Sequence, residues 1–136
     1  MPEPQTRRTK QRDAIESAIE AADRPLSPQE ILDLGRESVP SMSLATVYRT
    51  VKALVDEGLA RPVELPGEPP RYEPHGKAHH HHFHCVICDR AFDLPGCPIS
   101  LKGFVPPGFE VEGHDLTLTG RCPDCSGPKA RSQAKK

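Results

Sequence analysis

The chain has 136 residues and a formal net charge of −1, so its overall charge does not favour a nucleic acid or a membrane as partner. Hydrophobic residues make up 35% of the chain and aromatic residues 4%, with no tryptophan, which excludes a large hydrophobic core. A protein with a small core usually needs an additional cross-link, such as a disulfide or a structural metal, to be stable. No apolar run approaches the length of a transmembrane helix, and the N-terminus lacks the apolar segment of a signal peptide. We therefore expect a cytoplasmic chain without membrane contact, in which clustered cysteines are metal ligands rather than disulfides.

The first part of the chain predicts two helices. Ile15 and Ile19 recur at helical spacing and give the first helix an apolar face, which follows a segment rich in arginine and lysine. In "LSPQEI", Ser27 can cap a second helix, Pro28 suits its first position, and Glu30 completes a capping box. We expect this second helix to run to about residue 38.

The segment "SLATVYRTVKALVDEG" predicts a third helix with two different faces. One face forms a buried stripe of Leu44, Val47, Val51, Leu54 and Val55. The other face carries small, aromatic and basic side chains, which suit a helix that enters the major groove of DNA. "LARPVEL" and "PRYEP" follow as two short strands across the turn "PGEP". Three helices and a hairpin are typical of a winged helix-turn-helix; a merely solvated helix face is the alternative, which the basic first helix and the hairpin disfavour.

All cysteines and histidines lie between His75 and Cys125, so the second part of the chain has a different chemistry. Two Cys-x-x-Cys knuckles each offer two thiolates to one metal, and four thiolates make a closed tetrahedral Zn²⁺ site. A redox-active pair and an iron site are the alternatives. Neither is favoured, because two matched pairs are present without a thioredoxin-like pattern. The knuckle residues are Cys85, Cys88, Cys122 and Cys125.

The run "AHHHHFHCVIC" predicts a strand, in which successive side chains point to opposite faces. The four adjacent histidines then form two pairs that can each begin a separate metal site. Glu73 and Asp93 are the nearby carboxylates for one pair, and His114, with Glu112 or Cys97, is the candidate for the other. Imidazole ligands bind several divalent transition metals, so the histidines alone do not identify the metal. A histidine-rich metal buffer without fixed geometry is the alternative.

Several of these motifs together resemble the ferric uptake regulator (Fur) family of bacterial metal-sensing repressors. The resemblance rests on "LATVYRTV", "HHHHFHCVIC", "CPDC" and a glutamate twelve residues before Cys85, and it extends from about Thr6 to Cys125. It implies a homodimer with an α+β fold: an N-terminal winged helix-turn-helix domain and a small C-terminal α/β dimerisation domain with structural zinc. We place the DNA-binding domain at 1–69, the hinge at 70–77, the metal-binding dimerisation domain at 78–126 and a basic disordered tail at 127–136.

The resemblance also implies the roles of individual residues. Structural zinc would be held by Cys85, Cys88, Cys122 and Cys125. A regulatory metal would be held by Glu73, His80, His82 and Asp93, and a second metal by His79, His81 and His114. DNA would be bound by Arg12, Ala45, Thr46, Tyr48, Arg49 and Lys52.

The sequence departs from the family at three places. Pro25 stands where many relatives supply a histidine to the regulatory site. The segment between Cys88 and His114 is about three residues short and rich in proline and glycine, which predicts a shortened dimerisation helix. Cys97 falls in that segment, and we expect it to be a small buried residue rather than a ligand. The sequence assigns no role to His84.

The preferred function is a metal-responsive transcriptional repressor that binds a double-stranded DNA operator as a homodimer and controls metal homeostasis genes. Its cofactors would be structural Zn²⁺ and a regulatory divalent ion, Fe²⁺, Zn²⁺ or Mn²⁺. The peroxide-sensing alternative follows from Asp93, which peroxide-sensing relatives carry at this place, and zinc sensing is a further alternative. A metallohydrolase with a metal-bound water lacks a motif such as His-Glu-x-x-His. We therefore expect that the chain is not an enzyme.

Overall fold

The computed structural model describes residues 7–126, with side chains from residue 9 onward. The basic tail predicted at 127–136 to be disordered lies outside these residues. The chain divides into two compact units, Met1–Gly76 (unit 1) and Lys77–Lys136 (unit 2). Among the described residues, no helix combines the length and the apolar character that a membrane span requires.

Unit 1 contains three helices followed by a hairpin, as the sequence predicts. The elements are α1 (Arg7–Ala21), α2 (Pro28–Ser38), α3 (Leu44–Asp56), β1 (Ala60–Val63) and β2 (Arg71–Pro74). β1 and β2 pair antiparallel. The hairpin is also fastened to the chain before α2, because the backbones of Leu26 and Tyr72 exchange two hydrogen bonds of 2.9 and 2.8 Å.

The helix starts of unit 1 follow from local side-chain chemistry. Ser27 Oγ accepts a hydrogen bond from the Glu30 backbone N–H at 3.2 Å, and the Glu30 carboxylate accepts one from the Ser27 N–H at 3.1 Å. The predicted capping box is therefore confirmed. Ser43 caps α3 in the same way, since its Oγ accepts from the Thr46 N–H at 3.2 Å. Gly58, which follows α3, has a φ of 76° that favours glycine.

The hydrophobic core of unit 1 lies between the three helices. α2 approaches this core closely, because a β-carbon at Gly35 would lie 2.7 Å from Met42 Sδ. The prediction that Leu44 belongs to the buried stripe of α3 is wrong. Leu44 is 37% exposed, because the buried stripe begins only with the second turn of the helix. The core residues are Ile15, Ile19, Leu26, Ile31, Leu32, Met42, Val47, Val51, Leu54 and Ala60.

Unit 2 is built on a three-stranded sheet of β3 (His80–Cys85), β4 (Ala91–Pro95) and β5 (Thr117–Gly120). The strand order is β4-β3-β5, with β3 antiparallel to β4 and parallel to β5. The described part of unit 2 contains no α-helix, so the dimerisation helix is not merely shortened. Prolines and glycines throughout 96–116 explain this result, since both residues disfavour helix interiors.

The interior of unit 2 is small and polar. Its buried apolar side chains, among the described residues, are those of Cys85, Ala91 and Cys122. The buried polar groups are His81, His82 and His84. Little hydrophobic burial is therefore available to offset the loss of conformational entropy on folding.

Candidate metal centres and nucleic-acid interface

Four cysteines of unit 2 converge into one cluster, here called the four-cysteine cluster: Cys85, Cys88, Cys122 and Cys125. Their sulfur atoms all lie within 4.8 Å of one another, and the Cys88 and Cys122 sulfurs are 3.8 Å apart. A tetrahedral site with Zn–S bonds of about 2.3 Å has S···S edges of about 3.8 Å. The cluster therefore has the dimensions of a tetrahedral zinc–thiolate site.

The environment of the cluster favours the thiolate form of Cys85 and disfavours that of Cys88 and Cys125. Burial raises the pKa of Cys85, but the backbone N–H groups of Cys88 and Cys122 are directed at its sulfur, at 3.5 and 3.4 Å, and the net pKa is lowered to about 6. Burial and the neighbouring sulfurs raise the pKa of Cys125 to about 12, and burial also raises that of Cys88. Four thiolates can coexist here only with a cation among them.

A second set of donors, the Asp93 cluster, consists of His80, His82 and Asp93. Strand register explains it: His82 pairs with Asp93 across β3 and β4, and His80 lies on the same face of β3. Both histidine Nε2 atoms lie 3.6 Å from Asp93 Oδ1. That oxygen is buried and accepts no hydrogen bond from any described residue, while the Lys77 ammonium binds the other carboxylate oxygen.

The tautomer of His80 suits metal binding. Its Nδ1 lies 2.7 Å from the Ala78 carbonyl oxygen, and a carbonyl can only accept a hydrogen bond. In a neutral ring the proton is therefore on Nδ1, and the Nε2 lone pair faces Asp93 Oδ1. This arrangement is the usual one for an imidazole that ligates a metal.

The remaining predicted regulatory ligand, Glu73, lies on β2 in unit 1. Its carboxylate is fully buried and lies 3.4 Å from Arg61 Nε. Its role as a metal ligand stays a prediction. Pro25, where the resemblance implies a histidine in many relatives, is buried and has no side-chain ligand atom.

A third set of donors, the His81 cluster, consists of His79, His81, Cys97 and His114, whose ligand atoms all lie within 4.8 Å of one another. The structure thus brings the three histidines of the predicted second metal site together. Burial, followed by repulsion from the positive forms of His79 and His114, lowers the pKa of His81 and so disfavours its charged form. The expectation that Cys97 is buried is wrong, because Cys97 is exposed and its sulfur lies 3.1 Å from His114 Nε2.

Sequence reasoning also missed a partner for His84. Its Nε2 lies 2.7 Å from the Asp89 carboxylate, and this contact ties β3 to the turn that carries the first knuckle. Asp89 has a φ of 65°, a conformation that aspartate tolerates better than most residues. An acidic residue directly after Cys88, at a turn, is the only signal in the sequence.

The predicted DNA-binding residues lie on and beside α3 in unit 1. Ala45, Tyr48, Arg49 and Lys52 are exposed, and Tyr48 is 51% exposed. Arg12 of α1 lines a groove of about 450 Å³ together with Thr46 and Arg49 of α3.

Both arginines of this groove make a side-chain contact. Arg49 Nη2 donates to Thr46 Oγ1 at 3.3 Å, and Arg12 forms a 2.9 Å ion pair with Glu57. The groove therefore presents two guanidinium groups beside an exposed helix.

A winged helix with exposed cations and a separate unit with clustered metal ligands define a metal-dependent regulator of transcription. The model of the ferric uptake regulator family matches residues 3–119. The chain belongs to this family and is a metal-responsive transcriptional regulator. The predicted family and the α+β fold class are confirmed.

Similar proteins include the ferric uptake regulation protein of Campylobacter jejuni, which is 27% identical over 128 residues that cover 90% of this chain and 82% of that protein. The transcriptional regulator FurA of Mycobacterium tuberculosis is 31% identical over 123 residues, with 87% and 82% covered. Among solved structures, the ferric uptake regulator of Helicobacter pylori, described as having three functional metal-binding sites, has a TM-score of 0.69 at 25% identity and covers 88% of this chain and 82% of its own. A zinc-bound manganese uptake regulator has a TM-score of 0.73 at 26% identity, with 86% and 91% covered.

Proposed function

We propose that the chain is a homodimeric repressor that binds a double-stranded DNA operator when a regulatory divalent metal is bound. The observation that carries this proposal is the Asp93 cluster, in which two imidazoles face a buried carboxylate oxygen without a hydrogen bond from any described residue. A buried carboxylate oxygen is costly unless a cation or a donor satisfies it. The family resemblance adds Glu73 to this set of ligands.

The four-cysteine cluster would hold structural Zn²⁺ in this scheme. Its sulfur spacing and the lowered pKa of Cys85 support that assignment. A bound metal here adds to the free energy of folding, which unit 2 needs because few apolar side chains are buried in it. The His81 cluster would be the second metal site.

α3 would be the recognition helix. Tyr48, Arg49 and Lys52 are exposed along it, where they can reach base edges and phosphates in a major groove. Arg12 would contact phosphate from α1, because its guanidinium shares the groove with Arg49. Ala45 and Thr46, in the first turn of α3, would lie close to the DNA.

The test is operator affinity against buffered Fe²⁺, Zn²⁺, Mn²⁺ and Ni²⁺, measured by fluorescence anisotropy with the structural zinc in place. We expect one of these ions to tighten binding strongly and Asp93→Ala to abolish that response. Arg49→Ala should weaken binding in the presence of that ion by about 5- to 150-fold, the equivalent of about 1–3 kcal/mol for a base contact.

Lys102→Ala is the matched control, because it removes one positive charge from an exposed turn of unit 2. It should leave operator affinity within about twofold of the unmodified protein, as expected for a surface substitution. Operator affinity that is the same with each ion as without any, or an unchanged metal response in Asp93→Ala, would contradict the proposal.

Peroxide sensing is the second candidate function. Asp93 places a carboxylate 3.6 Å from the Nε2 atoms of His80 and His82, so Fe²⁺ held there would have oxidisable rings as direct neighbours. Mass spectrometry of the Fe²⁺-loaded protein after mild peroxide decides the point. The gain of one oxygen atom on His80 or His82, with loss of operator binding, supports this function, and unmodified rings count against it.

A further inference from the structure

We propose that Cys97 is a thiolate ligand and completes, with His79, His81 and His114, a site for a thiophilic divalent ion such as Zn²⁺ or Co²⁺. The inference deepens the second metal site of the proposed function, and it does not require DNA binding. The sequence pattern offers Cys97 and Glu112 as alternatives and favours a small buried residue for Cys97, whereas the contacts of its sulfur atom favour a ligand.

Strand pairing explains why Cys97 meets the histidines. The end of β4 lies beside the start of β3, because Pro95 pairs with His80. Gly96 then turns the chain with a φ of 82°, and Cys97 follows directly. β5 runs parallel to β3 on its other side, and His114 precedes it by three residues. Three strand ends therefore deliver ligands to one place.

The contacts of His114 are those of a shared ligand site rather than of a hydrogen-bonded pair. Its Nε2 lies 3.1 Å from Cys97 Sγ and 3.2 Å from His81 Nε2. One proton serves one of these pairs, whereas a cation between the three atoms satisfies all of them. The fourth donor is His79, because the ligand atoms of all four residues lie within 4.8 Å of one another.

The distances also match the expected coordination geometry. A tetrahedral ion with Zn–N bonds of about 2.0 Å and Zn–S bonds of about 2.3 Å has N···N edges of about 3.3 Å and N···S edges of about 3.5 Å. The observed separations of 3.2 and 3.1 Å lie within a few tenths of an ångström of these edges. Small side-chain adjustments would suffice for binding.

The ligand set predicts the kind of metal. A thiolate favours Zn²⁺, Co²⁺ and other thiophilic ions, while carboxylate and water ligands suit Mn²⁺ and Mg²⁺. Asp93 and two histidines make the neighbouring cluster free of sulfur. The His81 cluster and the Asp93 cluster should therefore prefer different ions.

A metal at the His81 cluster would also close a loop. Cys97 and His114 flank the irregular segment 98–113, which contains the exposed side chains of Phe104 and Phe109. A cross-link between the two ends of a flexible segment restricts its conformations. Bound metal should therefore protect this loop from proteolysis.

The first experiment is a Co²⁺ titration, without DNA, of protein loaded with one Zn²⁺ per chain, so that the His81 cluster is left free for Co²⁺. Zinc fills the four-cysteine cluster, so a new thiolate-to-cobalt charge-transfer band in the near ultraviolet reports Cys97 alone. We expect the band to saturate at one Co²⁺ per chain and to be absent in Cys97→Ser. Cys97→Asp should retain a metal site without the band and bind Mn²⁺ more tightly relative to Co²⁺.

Two histidine variants provide the matched controls. Removal of a metal's outer-shell partner costs about 10- to 100-fold in affinity, so loss of the ligand in His114→Ala should weaken Co²⁺ binding at this site at least as much. His75→Ala should keep the band, because His75 is an exposed turn residue outside all three clusters. Circular dichroism and zinc content establish that each variant is folded.

The second readout is tryptic cleavage after Lys102, which is exposed within the loop. Co²⁺ or Zn²⁺ should slow this cleavage in the unmodified protein but not in Cys97→Ser, with cleavage after Arg90 as the internal reference. Tight Co²⁺ binding without the band, or a band that persists in Cys97→Ser, would overturn the proposal. A protein that fails to bind an operator would still give either result, so the two proposals fail separately.

Discussion

At the scale of single residues, alternation along β3 decides the chemistry of unit 2. His80 and His82 face Asp93, His81 faces His114, and Cys85 ends the strand at the four-cysteine cluster. Successive side chains on a strand point to opposite faces, so one strand supplies three different sites. A shift of one residue in the pairing of β3 would exchange the two histidine faces.

Replacement of Cys85 should abolish the fold of unit 2, whereas replacement of Cys97 should not. Structural zinc contributes about 10–16 kcal/mol in small zinc domains, as much as the whole stability of a typical domain. Cys85→Ser should therefore lose one zinc per chain and the dispersed amide NMR signals of unit 2. Cys97→Ser, the matched control, should retain the zinc of the four-cysteine cluster and the dispersed signals, since Cys97 is exposed and lies outside that cluster. A dispersed spectrum for zinc-free Cys85→Ser would refute this prediction.

At the scale of elements, α2 is fixed at its first turn. Glu30 completes the capping box and also forms ion pairs with Arg24 at 2.6 Å and with the buried Arg71 of β2 at 3.7 Å. The same carboxylate thus stabilises the helix start and connects it to the hairpin. The negative charge also lies at the positive end of the helix dipole.

Ser27→Ala should lower the free energy of unfolding of unit 1 by about 1 kcal/mol, the usual cost of losing a serine cap. Ser17→Ala is the control, because Ser17 is an exposed residue inside α1 and alanine favours helices there. Urea denaturation followed by helical circular dichroism measures both variants. Equal denaturation midpoints for the two variants would mean that the capping box contributes nothing to the stability of α2.

The elements that could be predicted from the sequence are those with local signals. The capping box at Ser27 and the strand with alternating histidines depend on short-range chemistry, which a single sequence displays. The exposure of Leu44 and the contact of Cys97 with His114 depend on tertiary structure, which the local sequence pattern does not contain. Leu44 fits the apolar period of α3, yet the core begins one turn later. Cys97 reaches His114 only because a long irregular loop returns to the sheet.

At the scale of the whole molecule, the Asp93 cluster and the candidate recognition helix belong to different units of the chain. The Asp93 cluster lies in unit 2 and α3 lies in unit 1. A metal can regulate DNA binding only if its affinity differs between the DNA-bound and DNA-free states of the protein. The two binding events must then affect each other equally.

The factor by which the regulatory ion tightens operator binding should equal the factor by which the operator tightens binding of that ion, and both should fall in the range of about 5- to 150-fold. Anisotropy titrations of the operator at fixed metal, and competition with a metal-binding dye with and without operator, give the two factors independently. Asp93→Asn removes the charge of the Asp93 cluster but keeps the side-chain size, so both factors should fall towards one together. Unequal factors in the unmodified protein would show that the ion acts through a process other than equilibrium binding, as it would if Fe²⁺ served to oxidise His80 or His82.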